Sequence, residues 1–167
     1  MSADENAKQA GILRVPLEPL WASAARRGFW GLLIGLGIAL VFIVLDHRKA
    51  NSVSQVCMQA RIIFMQYHAE KGEWPKACDL AAPGGQFGGF NLEPMTTAVA
   101  KCQIPGKWVF MPQCETGGPA VVFTPAEPGR SYERAFGVAA GWLNDGHVDK
   151  GDLLVREGVA LLRLSVE

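Results

Sequence analysis

Residues 29–45 carry no charged side chain across 17 positions, FWGLLIGLGIALVFIVL, and nothing else in the chain limits its fold as strongly. A helix of that length rises about 25 Å, at the short end of what crosses a hydrocarbon core of about 30 Å. Gly28 and the stems of Arg26, Arg27 and Arg48 extend the reach by snorkelling. A soluble helix that is apolar on every face needs a large core around it, and a chain of 167 residues is too short to build one. A cleaved secretory signal fits less well, because the run exceeds an ordinary signal core, the leader before it is long and no A-x-A site follows. The expectation is therefore a transmembrane helix, with Trp21 and Trp30 marking a membrane interface.

Orientation is nearly a tie by charge, with Arg14, Arg26 and Arg27 before the span and Arg48, Lys49 and Arg61 after it. Cysteine placement says more: Cys57, Cys78, Cys102 and Cys114 all follow the span, as expected for an oxidising compartment on that side and a short N-terminal segment inside. Their spacings of 21, 24 and 12 match neither zinc ribbons nor C-x-x-C redox pairs. Two structural disulfides are expected. Cys102 with Cys114 would close a local hairpin, and Cys57 with Cys78 would tie the helix to the returning chain; four cysteines allow three connectivities, and spacing alone does not choose among them. Each such closure contributes about 2–4 kcal/mol. Within the span, Gly31, Gly35 and Ala39 recur at intervals of four, which places small residues on one helix face where another backbone could approach.

Beyond the span, Val53, Val56, Cys57, Ala60, Ile63, Phe64 and Tyr67 follow the 3-4 spacing of an apolar helix face. Gly72 supplies a stop and Pro75 prevents easy resumption. Since no proline or glycine interrupts residues 38–71, the membrane helix is expected to run on without a break, making residues 28–71 a rod of about 65 Å. After Pro75 the pattern changes: AAPGGQFGGFNLEP reads as a loop. KWVFMP, PAVVFTP, RAFGVAAGWL and VALLRLSV read as strands of a small antiparallel sheet, with Leu153–Arg156 pairing with residues 159–164 through a turn at Glu157-Gly158. The fold class expected is α+β, a long helix with a sheet packed on its amphipathic part. The divisions are an N-terminal segment 1–28, a span 29–45, a helical continuation 46–74 and a loop-rich sheet domain 75–167.

Several of these features occur together in one known family. Arg27-Gly28-Phe29 leads into an apolar helix, that helix continues as an amphipathic one, YHAEKGEWP closes it at residues 67–75, and a sheet ends the chain. This layout resembles the type IV pilins and type II secretion pseudopilins, and LNDGHVDKGD before the last strands is similar to the loop found there. The resemblance implies cleavage between Gly28 and Phe29, methylation of Phe29, and assembly with like subunits or other pilin-like proteins through the membrane helix. It also implies a single-pass protein of the bacterial inner membrane with its C-terminal domain in the periplasm, structural and not enzymatic, needing no cofactor. At the fifth position after the cleavage site the family usually has glutamate; here it is Leu33, as in some minor, tip-located members. A second expectation comes from the leader: GILRVPLEPLW is apolar enough to dock a cytoplasmic partner, which would make the chain an uncleaved bitopic adaptor of a larger membrane complex.

The remaining chemistry is sparse. Formal net charge is zero, so no bulk electrostatic pull toward nucleic acid is evident. His47, His68 and His147 are scattered, and no Ser-His-Asp or Cys-His arrangement is suggested by local spacing. Asn144, Asp145, Asp149 and Asp152 gather oxygen ligands at tight spacing and are a candidate calcium set, although the EF-hand pattern is absent; the bland alternative is a polar Asp-Gly turn. Trp74, Trp108 and Trp142 are expected in the core or at its rim. Phe87 and Phe90, set among glycines, either form a contact loop for an assembly or pack over the end of the sheet.

Overall fold

The computed structural model describes residues 20–114, 117–127, 129–145, 151–156 and 158–164. The chain divides into two compact units, Met1–Val41 and Phe42–Glu167. The described part of the first unit is helical throughout. Helix α1, Leu20–Lys71, begins in it and ends in the second unit. Residues 46–52 are helical without interruption, as the absence of proline and glycine there predicts. The helix stops at Gly72, whose φ of 74° suits glycine and whose N–H closes back on the His68 carbonyl at 2.8 Å.

The second unit is α+β. Its sheet comprises β1 (Cys78–Asp79), β2 (Gly106–Cys114), β3 (Gly118–Pro125), β4 (Leu153–Arg156) and β5 (Val159–Arg163), in the order β1-β2-β3-β5-β4. Every neighbouring pair is antiparallel. The expected terminal hairpin forms, with Arg156 opposite Val159 and Leu153 opposite Leu162; Gly158 takes the left-handed φ of 83° that the turn requires, and Glu157 lies outside the described residues. Alternation along each strand decides which side chains are buried. Trp108 faces Phe123 and Phe110 faces Val121 across β2 and β3, and Phe123 and Val121 face Ala160 and Leu162 on β5, so one sheet face is continuous and apolar. Where β2 starts, a Cβ on Gly106 would stand 2.4 Å from the Phe123 ring and 2.6 Å from the Thr124 carbonyl oxygen; only glycine permits that approach.

Two helices cover this face. On α1, Val53, Val56, Cys57, Ala60, Ile63, Phe64 and Tyr67 are all buried, the stripe that the 3-4 spacing marks. Phe64 stacks on Phe110 with centroids 4.2 Å apart. The other is α3, Arg130–Leu143, and it corrects an expectation: RAFGVAAGWL is a helix, not a strand. Tyr132, Ala135, Phe136, Ala139 and Ala140 are buried at helical spacing. The alanines hold the helix close to the sheet, and Phe136 lies 4.9 Å from Phe123 and 5.9 Å from Trp108. Alternation within so short a glycine-bearing run is a poor guide; the 132–143 window is helical when read as a whole. A short helix, α2 (Glu93–Ala100), starts where the expected loop ends. Asn91 starts it by accepting the Glu93 N–H at 3.1 Å, and Pro94 occupies the first turn, where its missing N–H costs nothing.

Candidate functional site

The outstanding surface of this chain is apolar. Every residue from 24 to 45 on α1 is exposed. Among them the large side chains run from Leu33, 40% exposed, to Leu32, 69% exposed. An exposed apolar area of this extent marks a membrane or protein interaction surface, and it encircles the helix instead of following one stripe. One helix among the described residues is long and apolar enough to cross a membrane. Gly28 and Phe29 lie inside α1, both exposed. Gly31 and Gly35 have open space where a Cβ would stand, and Ala39, one turn further on, is exposed too. The three small residues therefore share one accessible face of the helix.

The four cysteines carry free thiols, so the expected Cys57–Cys78 and Cys102–Cys114 bridges are not formed in this structure. Cys57 is fully buried in the α1 stripe; burial, then the neighbouring Cys102, pushes its thiol pKa up to about 12. Cys102 follows α2, its Sγ 3.8 Å from the Ser52 hydroxyl, which also accepts the Gln103 N–H at 3.1 Å. Cys78, on β1 opposite Phe110, is pushed up to about 11 by burial and then by Asp79, with a hydrogen bond to Gln86 acting the other way. Cys114 ends β2. Allowing one residue for the irregularity between Met111 and Cys114, seven strand steps place it about 23 Å from Gly106, whereas the four residues back to Cys102 reach at most about 14 Å. The two Cα atoms are thus at least about 9 Å apart, beyond the roughly 7 Å that a disulfide allows.

Of the four candidate calcium residues, Asn144 and Asp152 make protein contacts of their own. Asn144 is buried at the end of α3 and clamps β4: its Nδ2 donates to the Leu153 carbonyl at 2.8 Å, and its Oδ1 accepts the Leu153 N–H at 3.1 Å. Gly151 packs against that amide, with its φ at 128° and the site of a Cβ 2.5 Å from the Asn144 Cγ. Asp152 accepts from Arg61 of α1 at 2.6 Å. Asp145 takes a left-handed φ of 52°, and Asp149 and His147 lie outside the described residues. Among the described residues no group of three or more His, Cys, Asp or Glu side chains is placed to hold a metal ion.

Phe87 is buried edge-on to Phe64 and Tyr67, at 5.8 and 5.2 Å, and Phe90 sits 5.3 Å from Tyr67. Both rings thus pack on the buried stripe of α1, with Phe90 only partly covered. Gln86 fixes it by hydrogen bonds to the Lys76 N–H and carbonyl at 3.0 and 3.2 Å. Trp108 is core, and Trp74 stacks on His68 at 4.3 Å. Trp142 departs from expectation: it is half exposed on α3, beside His47 at 5.6 Å. Its position follows from the helical spacing of α3, because Ala139, Ala140 and Leu143 face the core and Trp142 falls off that stripe.

No protein-family model, curated protein or solved structure matches this chain. What the described residues present is a helix apolar all round on one stretch and clad on a single face on the next.

Proposed function

We propose that this chain is a structural pilin-like or minor pseudopilin subunit, anchored by residues 29–45 in a bacterial inner membrane. Its sheet domain would lie in the periplasm, and it would assemble with like subunits through α1. The observation that carries this reading is the change in burial along one helix: residues 24–45 are exposed on all sides, whereas residues 53–67 bury one stripe under a sheet and leave the other open. Lipid accommodates residues 29–45 of the first stretch without burying a charged side chain. The small-residue face at Gly31, Gly35 and Ala39 suits close helix contact. Met58 and Ile62, 48% and 55% exposed on the open side of α1, extend an apolar edge above the span for a neighbouring subunit.

The second reading, an uncleaved bitopic adaptor, is favoured by a specific observation. The bond between Gly28 and Phe29 lies within a helix that starts at Leu20, and a peptidase needs an extended strand of substrate, so local unwinding must precede any cut there. The mass of the N-terminal peptide from membrane-extracted protein separates the two. A mature terminus at Phe29, with a methyl group, supports the filament subunit. A terminus at Met1 or Ser2 refutes it and supports the adaptor.

A further inference from the structure

A shallow groove of about 470 Å³ opens in the second unit between α1 and α3, lined by Ile43, Val44, His47, Arg48, Asn51 and Trp142. We propose that it seats the glycerol-and-headgroup end of a bilayer phospholipid, with Trp142 as an interfacial ring; this rests on the reading that residues 29–45 cross a membrane.

The lining is ordered by polarity along the helix. Ile43 and Val44 are two of the last charge-free positions, both about half exposed. Arg48 lies about 7.5 Å further along the axis and Asn51 about 12 Å. Acyl chain, ester and phosphate succeed one another over a comparable distance at a bilayer surface. His47 is fixed between these levels: its Nδ1 lies 3.0 Å from the Ile43 carbonyl oxygen, which can only accept, so Nδ1 carries the proton. The Trp142 indole stands against that imidazole, 48% exposed, presenting an apolar body and one N–H donor. Tryptophan concentrates at this depth of a membrane for that combination of properties.

A neighbouring protein helix is a poorer occupant. Covering the groove with apolar side chains would take the Arg48 guanidinium out of water without a partner, whereas a phospholipid brings a phosphate to it. The lipid is supplied by the placement itself, because any bilayer round residues 29–45 puts headgroups beside Ile43 and Val44. Trp142 is held there by α3, whose Arg134 reaches Asp46 at 3.9 Å. The sheet domain would thus rest on the membrane surface through α3, and not only hang from the end of the span.

The test uses the full chain, one copy per nanodisc, in phospholipid brominated high on the acyl chain, with unbrominated lipid as reference. The difference in emission between W21F/W30F and W21F/W30F/W142F reports Trp142. The difference between W142F and W21F/W30F/W142F likewise reports Trp21 and Trp30, and unchanged far-ultraviolet circular dichroism shows that each variant folds. The proposal expects Trp142 emission to be blue-shifted and quenched to an extent similar to that of Trp21 and Trp30. Quenching of Trp21 and Trp30 with none of Trp142 overturns this inference and leaves the span standing; quenching of neither overturns the span and the inference with it.

Discussion

Replacing Asn144 by alanine removes a clamp and leaves its partner stranded. The Asn144 side chain exchanges two hydrogen bonds with the backbone of Leu153, a residue with no exposed surface. Two net bonds are worth about 1 kcal/mol each, and a buried N–H or carbonyl left without a partner costs about 1–3 kcal/mol. Partial relaxation of β4 toward water recovers some of this, so N144A should destabilise the second unit by about 2–4 kcal/mol. For a unit of this size that is a fall in Tm of roughly 8–16 °C. The assay is thermal and urea unfolding of the full chain in detergent, followed by near-ultraviolet circular dichroism and run both in excess calcium and in a chelator. The same loss in both conditions fits a structural clamp. A variant within about 0.5 kcal/mol of the native chain in chelator, destabilised only relative to the calcium-loaded protein, would refute the clamp and restore Asn144 as a metal ligand. Gly151 provides an internal control: G151A is expected to be destabilising, through its φ of 128° and its contact with the Asn144 amide. It should cost less in an N144G background, where the contact has gone.

Other expectations follow from the core and the thiols. Phe64→Ala removes the ring stacked on Phe110 at 4.2 Å and should cost about 3–5 kcal/mol in the same unfolding assay. With the cysteines reduced, Cys57 keeps its proton to about pH 12 when folded but ionises near 9.0 when unfolded. The Cys57 contribution to stability should therefore be level below pH 9 and be lost as pH rises toward 12, by up to about 1.4 kcal/mol per pH unit, with Cys78 adding to the fall up to about pH 11; C57A should reduce the total slope, and an unchanged slope would contradict the burial of Cys57. Under oxidising conditions, peptide mapping without reductant should find no Cys102–Cys114 linkage, since β2 holds the two residues apart.

Much of the fold was legible because periodicity and punctuation agreed. The 3-4 stripe from Val53 to Tyr67 is the buried face of α1, Gly72 ends the helix, and the strands at KWVFMP and PAVVFTP pair as neighbours. Misreading came where local cues conflicted. RAFGVAAGWL carries two glycines and a valine between small residues, and only the longer window reaching back to Tyr132 shows its helical stripe. The α2 helix is too short and too rich in threonine to display a period, although Asn91 and Pro94 were visible start signals. At the candidate site, the apolar extent of residues 29–45 could be read directly. The groove at Trp142 could not, because it depends on α3 crossing α1 near His47, a long-range placement that spacing does not encode. The aspartate-rich loop showed its oxygens in sequence but not their commitments to Leu153 and Arg61.

The central claim is that lipid surrounds residues 29–45 while the sheet covers one face of residues 53–67. Photolabelling of the native chain in bilayers that contain a diazirine-bearing phospholipid, with the adducts mapped by mass spectrometry, tests it most directly. With one copy per nanodisc, so that no neighbouring subunit shields Gly31, Gly35 or Ala39, the expected result is adducts at all helical positions from Phe29 to Leu45 and none at Gln55, Gln59 or Gln66. Adducts confined to one helical stripe, or absent from this segment, would show that protein and not lipid covers it and would contradict the account.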